Sequence, residues 1–307
     1  MADLATALGG QHHPLAQNVV PVYNGERGLS ALNHMKTHTE TTWTQGALKE
    51  DALNVQGEEN TTHKGKAPTG IDGFDRSTHG GLPRGRTSLI VGGPGSGKTI
   101  FALQTLVHGV RELGEPAIFV AFEENSRQIV ANAASFGWDL PALERDKLFF
   151  LDARMSLNTV TAGQFDLAGL LASLDAKASE MGARRIVFDS LDVLLTLLND
   201  PISERREVYR VRDWLSVTGL TGIVTARTGT ADSLRSERYG FMQFMADCVV
   251  LLTHRLDERV SLRTLRTVKY RGSSFAENAF PLVLGPRGME VGITEQLEPA
   301  YEVSTER

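Results

Sequence analysis

Eight consecutive residues carry the clearest chemical signal in this chain. They are Gly92-Gly93-Pro94-Gly95-Ser96-Gly97-Lys98-Thr99, and they fit the pattern G-x-x-x-x-G-K-[ST] of a loop that binds nucleotide phosphates. In such loops glycines let the backbone N–H groups turn towards the phosphates, and the start of the following helix adds a positive dipole end. The alternative, a glycine-rich turn that binds nothing, is disfavoured because the whole eight-residue pattern is present.

Two side chains of this loop have specific expected roles. Lys98 is expected to reach the β- and γ-phosphates of ATP, and the Thr99 hydroxyl is expected to ligate Mg²⁺. A strand at 87–91 and a helix at 100–113 are predicted on either side, which is the context that the motif requires. The loop residues predicted to contact the nucleotide are Gly95, Ser96, Gly97, Lys98, Thr99 and Ile100.

Carboxylates follow two of the other predicted strands. Asp189 ends the apolar strand 185–190, and it is predicted to be the second protein group that organises Mg²⁺. Any buried strand can end in aspartate, so this interpretation depends on the phosphate loop. Glu123 and Glu124 follow the strand 116–122, where a carboxylate lies in the crevice that ligands of parallel sheets occupy.

This glutamate pair, together with Lys98, is the predicted catalytic group. A carboxylate at this position can orient a water molecule and deprotonate it for in-line attack on the γ-phosphorus. Because neighbouring residues of a strand point to opposite faces, one of Glu123 and Glu124 is expected to face the water, with the other assisting. The sequence does not decide which. The alternative is a solvated acidic pair at the start of a helix for which Ser126 is the predicted cap.

The elements that must position these groups alternate between strand and helix. Strands are predicted at 87–91, 116–122, 148–152, 185–190 and 222–225, and helices at 100–113, 126–136, 166–181 and 203–217. This alternation predicts an α/β fold whose mostly parallel central sheet carries helices on both faces. After Cys248 the pattern changes to alternating strands joined by short turns, which predicts an antiparallel hairpin extension at the C-terminal end.

The composition is that of a globular protein. Of the 307 residues 41% are hydrophobic, and the net charge of -5 provides no basic field for nucleic acid. With one cysteine, no signal peptide and no apolar run of membrane-spanning length, a cytoplasmic protein without membrane contact is expected. The predicted organisation is a low-order tail at 1–64, an ATPase domain at 65–295 and a linker at 296–307.

Cations alternate with other residues near the end of the predicted hairpin, in Lys269-Tyr270-Arg271-Gly272-Ser273-Ser274. Lys269 and Arg271 are therefore expected to project on the same side of the strand. One interpretation is a solvated cationic edge, which protects a sheet from pairing with other chains. The other is a pair of charge stabilisers delivered to the nucleotide of a neighbouring subunit, the role of an arginine finger.

Several motifs occur in an order that resembles a known family. They are Ile71-Asp72-Gly73-Phe74-Asp75, His79-Gly80-Gly81-Leu82-Pro83, the phosphate loop, Phe122-Glu123-Glu124, Ser135-Phe136-Gly137-Trp138-Asp139-Leu140, Phe165-Asp166-Leu167, Asp189-Ser190, Arg238-Tyr239-Gly240 and Lys269-x-Arg271-Gly272. From about residue 70 to residue 293 the chain resembles the first ATPase domain of the KaiC family of circadian clock proteins. That family belongs to the RecA-like P-loop NTPases, so the resemblance implies their fold.

The resemblance also implies a homohexameric ring with ATP at each subunit interface. Lys98 and Thr99 would come from one subunit, and Lys269 and Arg271 from the next. The further residues that similarity places near the nucleotide are Ser135, Tyr270, Ser273 and Phe275, the last of which replaces a histidine of the family. The second domain of the family carries an autophosphorylated Ser-Thr pair, but the matching stretch 241–245 has no hydroxyl group, so hydrolysis is expected and autokinase activity is not.

The expected function is slow ATP hydrolysis that switches ring shape and partner binding, with a KaiB-like or signalling protein as the partner. A DNA-handling motor of the same fold is one alternative, but its candidate channel loops at 199–206 and 229–238 balance arginines with acidic residues. A nucleotide-stabilised scaffold with negligible turnover is the other. The end of the chain resembles the approach to a second copy, so a fragment of a two-domain protein and a single-domain relative both stay open.

Overall fold

Short strands connected by helices and turns build the protein around a central sheet. The structure is a computed structural model, and it describes residues 65–154, 167–198, 200–227, 240–257 and 259–293. The strands are β1 (Lys66–Ala67), β2 (Leu82–Pro83), β3 (Thr87–Gly92), β4 (Ala117–Ala121), β5 (Leu148–Asp152), β6 (Arg185–Asp189), β7 (Thr221–Arg227), β8 (Cys248–Asp257), β9 (Val260–Tyr270), β10 (Ala279–Gly285) and β11 (Gly288–Val291). The helices are α1 (Asp72–Ser77), α2 (Lys98–Leu113), α3 (Ser126–Ala133), α4 (Leu140–Asp146), α5 (Leu167–Met181), α6 (Leu191–Leu198), α7 (Pro201–Thr218) and α8 (Met242–Met245).

The central sheet has the order β11-β10-β9-β8-β3-β7-β6-β4-β5. Strands β8, β3, β7, β6, β4 and β5 run parallel to one another. Strands β9, β10 and β11 pair antiparallel at the C-terminal edge. This arrangement confirms the predicted fold class, a mostly parallel sheet with an antiparallel extension. It is the arrangement of a RecA-like P-loop ATPase.

Helices cover both faces of the sheet, and the central strands are therefore buried on both sides. Successive residues of β3 belong to different cores: Ile90 packs in the cluster that contains Phe101 of α2, whereas Leu89 packs in the cluster that contains Leu171 of α5 and Leu215 of α7. A strand that is buried on both faces reads as a continuous apolar run, which is why β3 could be predicted from sequence. The two cores hold β3 rigidly between the helices.

Local capping differs from the prediction by one residue. Asn125, and not Ser126, caps α3: the Asn125 side chain accepts a hydrogen bond from the Gln128 N–H at 2.7 Å. Ser126 is the first helical residue, and its own N–H donates to Asp152 Oδ1 at 2.7 Å. Asparagine and serine are both good caps, so the dipeptide was ambiguous in the sequence.

Four short helices, α1, α4, α6 and α8, were not among the predicted elements. The predicted tail at 1–64, the predicted linker at 296–307 and the candidate channel loop at 229–238 lie outside the described residues, so these features stay predictions.

A buried ion pair lies at the amino ends of the parallel strands, the ends opposite the phosphate loop. The Arg185 side chain is only 1% exposed, and its Nε donates to Glu115 Oε2 at 2.6 Å. Its Nη1 donates to the carbonyl groups of Pro68 and Thr105 at 2.7 Å and 2.9 Å. Because a buried charge is tolerated only when it is compensated, this pair fixes the start of β6 against α2.

Replacing Glu115 with alanine is expected to lower the free energy of unfolding by about 3 kcal/mol, because the buried Arg185 charge loses its partner. Denaturant unfolding of the wild type and the variant measures the difference. Glu180→Ala is the matched control, since Glu180 forms an exposed i,i+3 pair with Lys177. That control should change the free energy by about 0.5 kcal/mol or less. Equal effects of the two substitutions would contradict the assignment.

Lys66 of β1 provides a pH-dependent contribution to stability. Its Nζ donates to the Thr78 carbonyl at 2.9 Å and lies 3.7 Å from the centroid of the Tyr270 ring. Burial lowers the pKa of Lys66 from 10.5 to about 8. Between these two values the unfolded chain binds more protons than the folded chain, so the contribution of Lys66 to stability increases as the pH rises.

We therefore expect the wild type to gain stability relative to Lys66→Met as the pH is raised from about 7 to about 10. Methionine keeps the length of the side chain but does not titrate, so the difference between the two proteins isolates Lys66. Denaturant midpoints at several pH values measure it. If the stability of the wild type minus that of the variant stayed constant with pH, Lys66 would keep its ordinary pKa in the folded protein, and if it fell with pH, the pKa of Lys66 would be raised; either result would contradict the assignment.

Candidate phosphate-loop site

The loop between β3 and α2 has the backbone geometry that its glycines predict. Gly95 and Gly97 have φ values of 70° and 102°, which side-chain-bearing residues rarely adopt. Gly97 is the N-cap of α2, and its carbonyl accepts the first helical hydrogen bond from the Phe101 N–H at 2.9 Å. Ser96 Oγ donates to the Gly93 carbonyl at 2.8 Å, which closes the loop on itself. The N-terminus of α2 therefore follows the loop directly, and its first turn lies next to it.

Lys98, the first residue of α2, lies at the base of the loop. Its Nζ donates to the carbonyl groups of Gly92 and Gly93 at 2.9 Å and 3.1 Å. Burial lowers the pKa of Lys98, and the nearby carboxylates of Asp189, Asp192 and Glu123 act in the opposite direction. A partly desolvated ammonium group in this position interacts strongly with an anion, because little water screens it.

Thr99 and Asp189 approach each other across the end of the sheet. Thr99 Oγ1 donates to Asp189 Oδ2 at 2.9 Å, and Thr225 of β7 donates to Asp189 Oδ1. The Asp189 residue is 7% exposed. Burial raises the pKa of its carboxyl group, and the hydrogen bonds from Thr225 and Thr99 and the charge of Lys98 oppose that rise.

This pair of oxygen ligands suits Mg²⁺. A hydroxyl group and a carboxylate are hard donors, and Mg²⁺ prefers such oxygen ligands. Among the described residues, no group of three or more His, Cys, Asp or Glu side chains is arranged to hold a metal ion. A cation bound here would thus take few ligands from the protein, which is the way Mg²⁺ binds together with substrate phosphates.

The two predicted catalytic glutamates have different surroundings. Glu123 Oε1 forms an ion pair with Arg227 at the end of β7, and its charge acts on Lys98. Glu124 instead accepts a hydrogen bond from Asn132 Nδ2 of α3 at 3.3 Å. The two adjacent side chains therefore point in different directions, and Glu123 is the one that lies on the side of the phosphate loop, since its charge acts on Lys98.

Two charged residues of this site were missed in the sequence. Arg227 pairs in register with Gly92, the first residue of the loop. Asp192 is buried in the first turn of α6, and it accepts a hydrogen bond from the Arg227 N–H at 3.2 Å. The signal available for Arg227 was its place after the apolar strand Gly222–Thr225, the same rule that identified Asp189. Applying that rule required knowing that β7 lies next to β3.

Lys269 and Arg271 lie towards the opposite end of the strands from the phosphate loop of their own chain. Strand β8 pairs Leu252 with Gly92 of the loop, but it pairs Cys248, at its other end, with Tyr270. Lys269 Nζ donates to the carbonyl groups of Gln243 and Ala246 at 2.8 Å and 2.7 Å. The Arg271 side chain is 55% exposed, with Asp247 Oδ1 at 3.7 Å. The cations therefore cannot serve the phosphate loop of the same chain.

The remaining predicted contacts have other neighbours in the structure. Tyr270 is buried and donates from its hydroxyl group to the Gly81 carbonyl at 2.9 Å, so its side chain supports the fold. Ser135 donates to the Asn132 carbonyl, and Ser273 donates to the Ser274 carbonyl. Phe275 packs near Tyr270 and lines a cavity of about 620 Å³. The nucleotide contacts of these four residues still depend on sequence similarity.

The other end of β9 contacts the loop of its own chain. Arg263 donates from Nε to the Gly95 carbonyl at 3.1 Å. His254 of β8 lies beside the same glycine: a Cβ atom placed on Gly95 would be 3.3 Å from the His254 Nδ1 atom. The tip of the loop is thus supported by the β8–β9 hairpin.

Comparison with known proteins agrees with this geometry. A family model described as "ATPase: KaiC" matches residues 67–296. The chain belongs to the KaiC family of ATPases. It is 37% identical over 244 residues to the circadian clock protein KaiC2 of Synechocystis sp.. The aligned region covers 79% of this chain and 42% of that relative. The chain is 40% identical over 229 residues to the circadian clock oscillator protein KaiC of Prochlorococcus marinus, which covers 74% of this chain and 46% of the relative.

This KaiC-family chain spans less than half the length of those two relatives. The matched region begins and ends within a few residues of the predicted domain at 65–295. No helix among the described residues is both long and apolar enough to cross a membrane. The helix α8 and the residue before it, 241–245, contain no serine or threonine.

Proposed function

We propose that this KaiC-family chain hydrolyses ATP to ADP and phosphate at the interfaces of a homohexameric ring. The proposal rests on one observation: Lys98, Thr99 and Asp189 lie close together at the carboxyl ends of the parallel strands, with Glu123 on the same side. Those groups correspond to the parts that phosphoryl transfer needs: a phosphate cradle, metal ligands and a base. The absence of hydroxyl groups in 241–245 favours hydrolysis over autokinase activity.

The loop and Lys98 would bind the β- and γ-phosphates, with the N–H groups at the start of α2 as additional donors. Thr99 and Asp189 would hold Mg²⁺, which neutralises charge on the phosphate oxygens when it is bound. Glu123 would orient a water molecule and accept its proton. The water oxygen then bonds to the γ-phosphorus, and the bond to the bridging oxygen breaks, so that ADP leaves.

The separation of Lys269 and Arg271 from their own loop supports a role towards a neighbouring copy. In a ring, each interface is formed by different surfaces of two subunits, so one subunit can supply the loop and the next its cations. Arg271 is the better candidate for contact with the nucleotide, because Lys269 already binds two backbone carbonyl groups. ATP would then join the subunits, and its hydrolysis would change their contact.

A change at each interface would alter ring shape, and thereby the surface offered to a partner. The relatives are named as circadian clock proteins, so we propose a clock-type or signalling-type role with a KaiB-like or signalling protein as the partner. The net charge of -5 argues against nucleic acid as the partner.

Phosphate release by the wild type and by Glu123→Gln tests the reaction. Glutamine keeps the shape of the side chain but accepts no proton, so kcat is expected to fall about 100-fold with little change in KM for ATP. Glu124→Gln is the matched neighbour, and we expect a loss of about tenfold or less. A wild type that binds ATP without turnover would indicate a nucleotide-stabilised scaffold, and an unchanged rate in Glu123→Gln would remove this carboxylate from the mechanism.

A further inference from the structure

We propose that Arg227 is a positioning residue: it holds the Glu123 carboxylate at the mouth of the phosphate loop, and Asp192 anchors Arg227. This inference rests on the proposed hydrolysis and assigns a role that sequence reasoning did not provide. Arg227 is placed for it by the register of the sheet, since it ends β7 directly beside Gly92 of β3. Strand β6, which carries Asp189, lies on the other side of β7.

The anchor acts on both the backbone and the side chain of Arg227. Asp192 Oδ1 accepts the Arg227 N–H at 3.2 Å, and Asp192 Oδ2 lies 3.9 Å from Arg227 Nε. The Asp192 side chain is 7% exposed, so α6 holds its carboxylate in a fixed place. This leaves the terminal nitrogen of the guanidinium group, Nη2, directed at Glu123 Oε1.

Glu123 needs such a partner because packing does not restrain it. Its side chain is 46% exposed, and a glutamate in that state samples several rotamers. Lys98 is the competing cation, since the Glu123 carboxylate is one of the charges that act on the pKa of Lys98 across the crevice. If Glu123 were drawn to Lys98, it would neutralise the ammonium group that the phosphates need and would leave the position of a base. Arg227 keeps the two groups apart.

Arg227 also differs from a residue that only stabilises the fold. An exposed ion pair contributes little to folding, and the Arg227 side chain is 45% exposed. Its removal is therefore expected to change catalysis more than the unfolding midpoint, because the buried Asp192 carboxylate keeps its hydrogen bond from the backbone N–H of residue 227 and loses only the guanidinium group 3.9 Å away. A second possibility is that the guanidinium group contacts the γ-phosphate itself, and this would give a different kinetic pattern, because it does not act through Glu123.

The test measures kcat and KM for ATP, with Mg²⁺ present, in Arg227→Gln, Arg227→Lys, Glu123→Gln and the double variant. Arg227→Gln is expected to lower kcat about tenfold with KM within about twofold of the wild type, and Arg227→Lys to recover part of the loss. In the Glu123→Gln background the same substitution should lower kcat less than about twofold further, because its target is already removed. Arg212→Gln is the matched control, since Arg212 forms a similarly exposed pair with Asp213 and should keep wild-type rates.

Four outcomes would overturn the inference. A full additional loss in the double variant, or a raised KM with unchanged kcat, would mean that Arg227 contacts the nucleotide directly. A wild-type rate in Arg227→Gln would mean that it positions nothing of consequence, while the proposed hydrolysis would stand. A wild type without turnover would refute the proposed function first, and this inference with it. Unfolding midpoints of all variants identify any loss that comes from misfolding.

Discussion

Lys98→Ala is expected to lower kcat/KM for ATP hydrolysis about 1,000-fold, which corresponds to about 4 kcal/mol of lost transition-state stabilisation. The ammonium group lies at the base of the loop, where it is partly desolvated and its interaction with phosphate is strong. Phosphate release and the binding of a fluorescent ATP analogue measure the two parts of the loss. Binding is expected to weaken as well, because the proposed contact of Lys98 with phosphate would exist both before and during the reaction.

Folding should not account for this effect. Burial disfavours the charged form of Lys98, so removing the charge is not expected to destabilise the fold. Lys177→Ala, at a partly exposed pair on α5, is the control for a lost lysine. An activity of Lys98→Ala within about tenfold of the wild type would mean that the phosphates bind elsewhere.

Arg271→Ala is expected to lower kcat about 1,000-fold, the effect of losing an arginine finger. The decisive measurement mixes this variant with Glu123→Gln, whose kcat is expected to be low for a different reason. In a mixed ring, an Arg271→Ala subunit supplies an intact loop and base, and a Glu123→Gln neighbour supplies the intact arginine. Activity should therefore return at roughly a quarter of the interfaces of a random equal mixture.

The mixing experiment has a clear contradictory result. If Arg271 served the loop of its own chain, every subunit in the mixture would remain defective, and no activity would return. Light scattering with and without ATP and Mg²⁺ gives the necessary control, because subunits must assemble before they can complement each other. A monomer under both conditions would contradict the role of Arg271 between subunits.

The parts of the site that could be predicted from sequence are those encoded locally. The phosphate loop is a contiguous pattern, and Asp189 could be identified because it ends an apolar strand that reads as buried. The choice between Glu123 and Glu124 was not available, because the direction of each side chain depends on neighbouring strands. Only the structure pairs one with Arg227 and the other with Asn132.

Arg227 and Asp192 could not be predicted because strand order is not a property of local sequence. Strand β7 follows β6 in the chain, yet it inserts between β6 and β3 in the sheet. That insertion brings Arg227 beside the loop. In the same way, the alternation of Lys269 and Arg271 was visible in the sequence. The antiparallel return of β9 was predicted as well, but the distance of these cations from their own loop also depends on the pairing of β8 beside β3, which is again a matter of strand order.

The support of Gly95 by Arg263 has a consequence for how a ring of these subunits would behave. Arg263 and Arg271 lie near opposite ends of one continuous strand, about 25 Å apart along β9. Strand β9 pairs with β8 along its length and with β10 at Thr264, Leu265 and Arg266, so its two ends are connected through paired backbone. In the proposed ring, movement of one loop during turnover would shift Arg271, on which the adjacent site is proposed to depend, so ATP turnover would depend cooperatively on how many sites are occupied.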